Sequence, residues 1–190
     1  MALALQGILI MVGVASVSGR LCTPLDTIAQ ALDDPPNALR LMQDADQSYF
    51  LVYHSKDRMF QHKYPCLRAT RKAVHKNKTT YEYDYQLGPK ITIDYRLVEL
   101  DKTDDAYPYP NEFSIDIRRG SEKWLQDFQI LYTDYKNCVL FSSWSLGYQV
   151  WMESSYLKEK RKVPEVCAFL YQLLEPRNRY VVYKGRKCLK

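Results

Sequence analysis

The feature that constrains this chain most is a series of short segments in which apolar and polar residues alternate. In the segment TYEYDYQL, Tyr81, Tyr83 and Tyr85 share one face of an extended chain, while Glu82 and Asp84 share the other. A period of two is that of a β-strand with one buried face. We predict eight strands separated by turn residues, at residues 48–54, about 66–74, 79–87, 90–99, 111–118, 124–133, 137–144 and 147–152.

Eight strands at this spacing in one modest domain predict an up-and-down barrel or a sandwich. A short helix from Asn37 to about Asp44 precedes the strands, and a second helix at 163–174 and a short strand at 179–183 follow them. The apolar stripe predicted for the second helix consists of Val166, Phe169, Leu170 and Leu173. A closed barrel of this size is just wide enough to be packed solid or to hold one small ligand, and residue types alone leave both interpretations open.

The first nineteen residues carry no charged side chain, and small residues precede Arg20. This layout predicts a secretory signal peptide at residues 1–19, because the apolar core from Ile8 to Val17 is too short to span a bilayer. We then expect an N-terminal extension with the short helix at 20–47 and the barrel domain with its C-terminal helix at 48–190. The net charge of +5 is mild, so we expect no nucleic-acid partner for a secreted protein. No later segment is long and apolar enough to span a membrane, so we also expect no membrane partner.

Five cysteines are present, and an oxidising compartment favours bridges between them. Four cysteines allow three pairings, and spacing alone does not choose among them. Cys22 is the odd one out, and no Cys-x-x-Cys or His-rich spacing predicts a metal site. Asn77-Lys78-Thr79 is an N-glycosylation sequon, which predicts that Asn77 is glycosylated and lies at the surface.

Signals for catalysis are scarce. The sequence contains no Gly-x-Ser-x-Gly elbow and no glycine-rich phosphate loop. The three histidines have no fixed spacing and no obvious carboxylate partner. We therefore expect a binding protein without a cofactor, and not an enzyme.

Several cysteine-containing motifs coincide in one known family. A cysteine follows the first strand in Tyr64-Pro65-Cys66, and the stretch Tyr-Thr-Asp-Tyr-Lys-Asn-Cys ends at Cys138. A Tyr-x-x-Trp motif ends at Trp151 and precedes a cysteine in the second helix, Cys167, and one near the C-terminus, Cys188. Over residues 37–188 this arrangement resembles the tick salivary lipocalins, the histamine-binding protein family.

The resemblance implies an eight-stranded antiparallel lipocalin barrel with a C-terminal helix packed on its outside. It also implies the bridges Cys66–Cys188 and Cys138–Cys167, which leave Cys22 free. The implied activity is sequestration of a small host mediator, such as histamine, serotonin, a leukotriene or thromboxane.

This chain departs from the amine-binding members of that family. One acid that holds the cationic ligand in those relatives lies two residues before the tryptophan, and Gln149 stands there in this chain. In the strand leading to Cys138, ligand positions of the amine-binding relatives align with Gln126 and Phe128 of this chain. The acid that follows that cysteine in those relatives is replaced by Val139. Asp57 is the candidate for an acid that this chain retains. Burying an ammonium group without a carboxylate partner costs on the order of several kcal/mol in desolvation, so the affinity for histamine is expected to fall steeply.

Strand alternation places the acids Glu82, Asp84, Asp94 and Asp116 outward. The predicted inward set is largely aromatic, with Gln126 and Gln149 as polar points: Tyr83, Tyr95, Phe113, Ile115, Phe128, Tyr132 and Trp151. An acid-poor aromatic pocket favours an eicosanoid whose carboxylate meets Arg58 or Arg96. The predicted ligand contacts are Tyr49, Asp57, Tyr83, Tyr95, Phe113, Ile115, Gln126, Phe128, Gln149 and Trp151. The alternative is a filled barrel that inhibits a host defence protein through its surface.

Overall fold

The computed structural model describes residues 28, 35–43, 47–75, 78–87, 90–105, 107–119 and 122–188. Within these ranges the side chains of 73–75, 78–80, 82–87, 116–119 and 122–124 are not described. The predicted signal peptide, Cys22 and the sequon residue Asn77 lie outside the described residues.

Nine strands and four α-helices make up the described chain. The strands are β1 (Ser48–His54), β2 (Arg68–His75), β3 (Lys78–Leu87), β4 (Lys90–Asp101), β5 (Glu112–Arg119), β6 (Glu122–Thr133), β7 (Cys138–Ser143), β8 (Gly147–Glu153) and β9 (Tyr180–Val181). The helices are α1 (Ala38–Leu41), α2 (Phe60–Lys63), α3 (Ser154–Lys160) and α4 (Glu165–Leu174), and a 3₁₀ turn covers Gly185–Cys188. None of the described helices has the length and apolarity needed to cross a lipid bilayer.

The strands form one antiparallel sheet that curls into the predicted eight-stranded barrel. Neighbours follow chain order from β2 to β8, and β1 then pairs with β8. The sheet closes because β1 also pairs with β2 at residues 48–50, and β9 extends the same side of β1 at residues 53–54. The ladder between β4 and β5 is short and runs from Val98–Ile115 to Asp101–Glu112.

Side chains pack on both sides of this sheet. The inner cluster includes Leu51, Val98, Phe113 and Ile130, and it extends to α1 at one end of the barrel. The outer cluster lies under α3 and α4, where Met152 packs with buried residues of both helices. The two faces are distinct because successive side chains of a strand point to opposite sides.

Helix α4 has the predicted position, but its predicted apolar stripe is wrong at three of its four residues, and Leu170 alone of the four packs on the outer cluster. Val166, Phe169 and Leu173 are exposed, while Cys167 and Tyr171 are completely buried against the barrel. The reason is the bridge from Cys167 to Cys138 of β7, which turns that face of the helix toward the sheet. The second bridge joins Cys66 to Cys188, so the structure contains both bridges that the family resemblance implies.

The tight turn between β6 and β7 is organised by Asp134. Its carboxylate accepts the backbone N–H groups of Lys136, Asn137 and Cys138 at 2.7–3.0 Å. Burial alone would raise the pKa of Asp134, but these bonds favour the charged form and hold the pKa below its usual value. The Tyr-Thr-Asp-Tyr-Lys-Asn-Cys motif therefore places Cys138 at the start of β7, facing α4.

Candidate functional site

The barrel interior contains a cavity of about 230 Å³. Its wall is formed by side chains from most strands, together with Leu41 and Met42 at the α1 end and Phe60, Tyr64 and Leu146 at the opposite end. A water molecule needs only roughly 10–15 Å³ of such space. The interior is therefore hollow rather than packed solid.

Aromatic rings form one wall of the cavity. Phe113 and Phe128 stack with centroids 5.2 Å apart, and Phe141 meets Phe113 edge-on at 5.3 Å. Trp151 continues this wall at 6.5 Å from Phe141. Such tilted and stacked rings present a rigid apolar surface to a ligand.

The charged part of the cavity wall comes from β4. Asp94 and Arg96 both line the cavity and form an ion pair with each other. Their side chains are 43% and 24% exposed, respectively, so the pair lies between the cavity and solvent. The wall thus offers one carboxylate, and that carboxylate already has a cationic partner.

Tyr81 lies beside this pair on β3, opposite Arg96 in the ladder. Burial raises the pKa of Tyr81 to about 12, against the opposing effect of Arg71. The guanidinium of Arg71 donates to the Met42 carbonyl near the α1 end. Among the described charged groups in and next to the cavity wall there are thus two guanidinium groups, those of Arg71 and Arg96, and one carboxylate, that of Asp94.

Gln149 belongs to a buried hydrogen-bond network. Its Nε2 donates to Ser143 Oγ at 2.8 Å, and its Oε1 accepts the indole N–H of Trp151 at 3.2 Å. The same Ser143 oxygen accepts the Leu146 N–H at 3.3 Å. Gln149 is completely buried and does not line the cavity. Its amide positions Trp151 and the β7–β8 turn, both of which contribute to the wall.

The predicted ligand contacts whose side chains are described divide into three groups. Those that line the cavity are Tyr49, Phe113, Ile115, Phe128 and Trp151. Gln126 and Gln149 are buried but do not line it, and Asp57 and Tyr95 are exposed. Tyr83 pairs with Asp94 in the β3–β4 ladder, and its side chain lies outside the described part of the chain.

The predicted orientation of β4 is wrong. Tyr95 is 59% exposed and Ile93 is 52% exposed, whereas Asp94, Arg96 and Val98 face inward. Apolar residues of β4 do not face the interior because the interior contains a cavity. Asp94 and Arg96 form an ion pair in its wall, so both charged side chains can face inward. Asp94 is therefore an inward acid, contrary to the prediction that it faces outward.

Two further predictions are corrected by local backbone geometry. The β6–β7 ladder contains a bulge between Ile130 and Tyr132, which moves Tyr132 to the outer cluster. Asp57 adopts a φ of 59° and caps a turn by accepting the Met59 N–H at 3.0 Å. It therefore points away from the cavity, as does Arg58, which is exposed on the same segment.

Sequence reasoning missed the residues that line the two ends of the cavity. Phe60 and Tyr64 lie on and after α2, in a segment that the strand pattern does not reach. Leu41, Met42 and Leu146 come from α1 and a turn. The sequence feature that could have identified these residues is their apolar character within connecting segments that are otherwise polar.

His54 is completely buried at the end of β1, next to α2. Its Nδ1 lies 2.5 Å from the Lys56 carbonyl oxygen, and its Nε2 has no hydrogen-bond partner among the described residues. The ring meets Phe60 edge-on at 5.3 Å. Burial lowers the pKa of His54, with smaller opposing contributions from the Lys56 bond and Asp57.

The described ranges contain no group of three or more His, Cys, Asp or Glu side chains that could hold a metal ion. The arrangement instead offers a hollow interior with aromatic walls and a few polar groups, as small-molecule sites do. The fold and site together define a ligand-binding barrel of the lipocalin class.

Solved structures of that class resemble this chain. A serotonin complex of AM182 is 12% identical with a TM-score of 0.61, covering 80% of this chain and 92% of that one. Japanin from Rhipicephalus appendiculatus, bound to cholesterol, is 15% identical with a TM-score of 0.57, covering 75% and 95%. Insecticyanin from the tobacco hornworm Manduca sexta is 15% identical with a TM-score of 0.59, covering 82% and 86%. These similarities support the fold.

The family is shown by the sequence itself. The family model described as tick histamine binding protein matches residues 29–190, and the chain belongs to this family. No curated protein sequence matches the chain.

Proposed function

We propose that this protein is secreted and sequesters a small host inflammatory mediator in its barrel, and that the mediator is an eicosanoid such as a leukotriene or thromboxane. The observation that carries this proposal is the hollow aromatic cavity with Arg96 in its wall. The predicted leader and the two disulfides support secretion, since disulfides persist in oxidising compartments.

The cavity chemistry suits an apolar chain with one carboxylate. The chain would pack on Phe113, Phe128 and Trp151, where burial contributes about 25 cal/mol for each Å² of apolar surface. Asp94 engages one terminal nitrogen of Arg96, and the remaining N–H donors of the guanidinium would bind the ligand carboxylate. The nearby guanidinium of Arg71 adds to the positive potential.

A cationic amine is less well served by the same wall. Asp94 is the carboxylate that lines the cavity among the described residues, and Arg96 already neutralises it. The Gln149 amide cannot neutralise a cation, and both of its ends are engaged with protein groups. Histamine would therefore lose its hydration without gaining an unshared carboxylate.

Relatives of this fold support small-ligand binding in general. AM182 forms a complex with serotonin, and Japanin is bound to cholesterol. The alternative, a filled barrel that inhibits a host defence protein through its surface, loses its main support because the interior is hollow.

Titration calorimetry with leukotriene, serotonin and histamine tests the proposal, with Arg96→Gln compared against Arg58→Gln. Arg58 is a matched control because it is exposed and does not line the cavity. We expect leukotriene to bind most tightly and Arg96→Gln to weaken it about tenfold to hundredfold, since a hydrogen bond to a charged group contributes about 1.5–3 kcal/mol. Tighter binding of histamine than of leukotriene, or binding of none of the three, would contradict the proposal.

A further inference from the structure

One end of the barrel carries an unusually exposed tryptophan. Trp144, in the turn between β7 and β8, is 84% exposed, more than any other large apolar side chain in the described chain. Lys56 holds the turn by donating to the Trp144 carbonyl at 2.8 Å, and its ammonium lies 5.0 Å from the ring centroid. The indole therefore projects into solvent beside a cation, while its backbone is fixed.

The connection between β1 and β2 forms the neighbouring part of the same rim. The backbone N–H groups of Ser55 and Lys56 donate to the Leu146 carbonyl, which joins this connection to the β7–β8 turn. Met59 is 57% exposed on it. We call the segments 55–64 and 144–146 the open rim. Three of its residues, Phe60, Tyr64 and Leu146, also line this end of the cavity.

Charge is distributed unevenly along the barrel axis. The open rim exposes Lys56, Arg58 and Lys63 against one acid, Asp57, and Lys90 is exposed at the same end of β4. At the opposite end, the exposed acids Asp101, Asp104 and Asp105 are matched by the exposed cations Lys102, Arg40 and Lys136, so that end has no comparable excess of positive charge. A negatively charged surface would therefore attract the open rim and orient the barrel with this rim toward that surface.

We propose that the open rim docks on a membrane surface that contains anionic lipid. Tryptophan is enriched where a protein meets the boundary between lipid headgroups and hydrocarbon, and neighbouring lysine and arginine side chains bind anionic headgroups. Interfacial binding combines the burial of apolar surface with attraction to anionic lipid. The exposed indole and thioether supply the apolar surface, and the basic rim around them supplies the attraction. This proposal revises the sequence-based expectation that the protein has no membrane partner.

The position of the cavity agrees with such docking. Residues of the open rim form the cavity wall at that end, so a docked barrel would present its interior to the bilayer surface. A sulfated polysaccharide or an acidic protein surface would satisfy the cations but would leave Trp144 and Met59 without an apolar partner. The apolar exposure therefore favours a membrane over these polyanions.

Co-sedimentation with vesicles tests the proposal without any mediator, so its outcome is independent of the eicosanoid hypothesis. Vesicles of phosphatidylcholine alone are compared with vesicles that also contain phosphatidylserine. The variants are Trp144→Ala, the double variant Lys56→Gln/Arg58→Gln, and Phe169→Ala as control. Phe169 is a matched control because it is 66% exposed on α4, outside the open rim.

We expect the native protein to bind phosphatidylserine vesicles and Phe169→Ala to bind equally well. Trp144→Ala should bind about tenfold or more weakly, because the indole supplies apolar burial. The affinity of the double variant for phosphatidylserine vesicles should fall about fivefold for each cation removed. Added salt should reduce the difference in affinity between this variant and the native protein. The proposal is overturned if the native protein does not sediment with phosphatidylserine vesicles, if Trp144→Ala binds like the native protein, or if Phe169→Ala loses as much as Trp144→Ala. Binding to heparin but not to vesicles would equally overturn it.

Discussion

Replacing Gly147 by alanine tests how closely the β7–β8 turn fits against the end of β1. Gly147 has a φ of +65°, and a Cβ there would lie 2.3 Å from Ser55 Oγ and 3.2 Å from Lys56 Cβ. Ser55 Oγ is already committed, because it accepts the Tyr148 N–H at 2.9 Å. The substitution therefore combines backbone strain, steric overlap and the loss of a hydrogen bond.

The free energy of unfolding should fall by about 2–5 kcal/mol. A left-handed backbone costs an L-residue roughly 1–2 kcal/mol, overpacking costs typically about 1–3 kcal/mol, and the lost hydrogen bond about 1 kcal/mol. The lower entropy of the unfolded alanine chain returns about 0.4–1 kcal/mol. Gly185→Ala is the matched control: its φ is +61°, but no heavy atom lies within 4 Å of its added Cβ. There only the strain remains, so the loss should be about 1 kcal/mol or less.

Denaturant unfolding with the disulfides intact measures both variants. The double variant Gly147→Ala/Ser55→Ala isolates the overlap, since it removes the hydroxyl that the new Cβ meets. We expect its destabilisation to be clearly smaller than the sum of the two single effects. If Gly147→Ala is no less stable than Gly185→Ala, or if the double variant is additive, the assigned contact with Ser55 is not the cause.

Two further predictions concern buried groups that titrate. Gln149→Glu places a carboxyl where Trp151 donates; burial should raise its folded pKa above the unfolded value, so the variant should lose stability as pH rises from about 4.3. Urea unfolding at acid and neutral pH should show this loss, whereas Gln43→Glu, at an exposed position, should show little pH dependence. His54 has its pKa lowered from 6.5 by burial, so its contribution to stability is complete above pH 6.5 and is lost as pH falls toward the folded pKa. His54→Asn should remove this acid-side loss and His62→Asn, at an exposed position, should retain it; an unchanged pH profile in His54→Asn would refute the assignment.

The barrel could be predicted because its strands follow the simplest rule of a half-buried sheet. The β5 residues Phe113 and Ile115 alternate with polar neighbours and do face the interior. Chain order then gives the topology, because short connections join antiparallel neighbours. The same rule cannot detect a bulge, and one extra residue near Ile130 carries Tyr132 to the outer cluster.

The candidate site was harder to predict because a cavity relaxes the rule that the interior is apolar. Asp94 and Arg96 can face inward since they pair with each other beside a solvent-accessible space. Ile93 and Tyr95 then face outward, although their apolar character predicts the reverse. Gln149 shows the opposite difficulty, since a polar residue at a family ligand position proves to be bonded to the scaffold. A sequence pattern does not distinguish an amide that meets a ligand from one that holds a tryptophan.

The closure of the barrel along β1 has a consequence for biosynthesis. The strand that completes the barrel is made first, yet Tyr49 pairs with Glu153 of β8, more than a hundred residues later. At a synthesis rate of roughly 5–20 residues per second, β1 waits on the order of 5–20 seconds for that partner. During this time an apolar strand, buried at six of its seven positions in the finished barrel, has an unpaired edge open to other chains. The nascent protein is therefore most vulnerable to aggregation through the segment that later seals it.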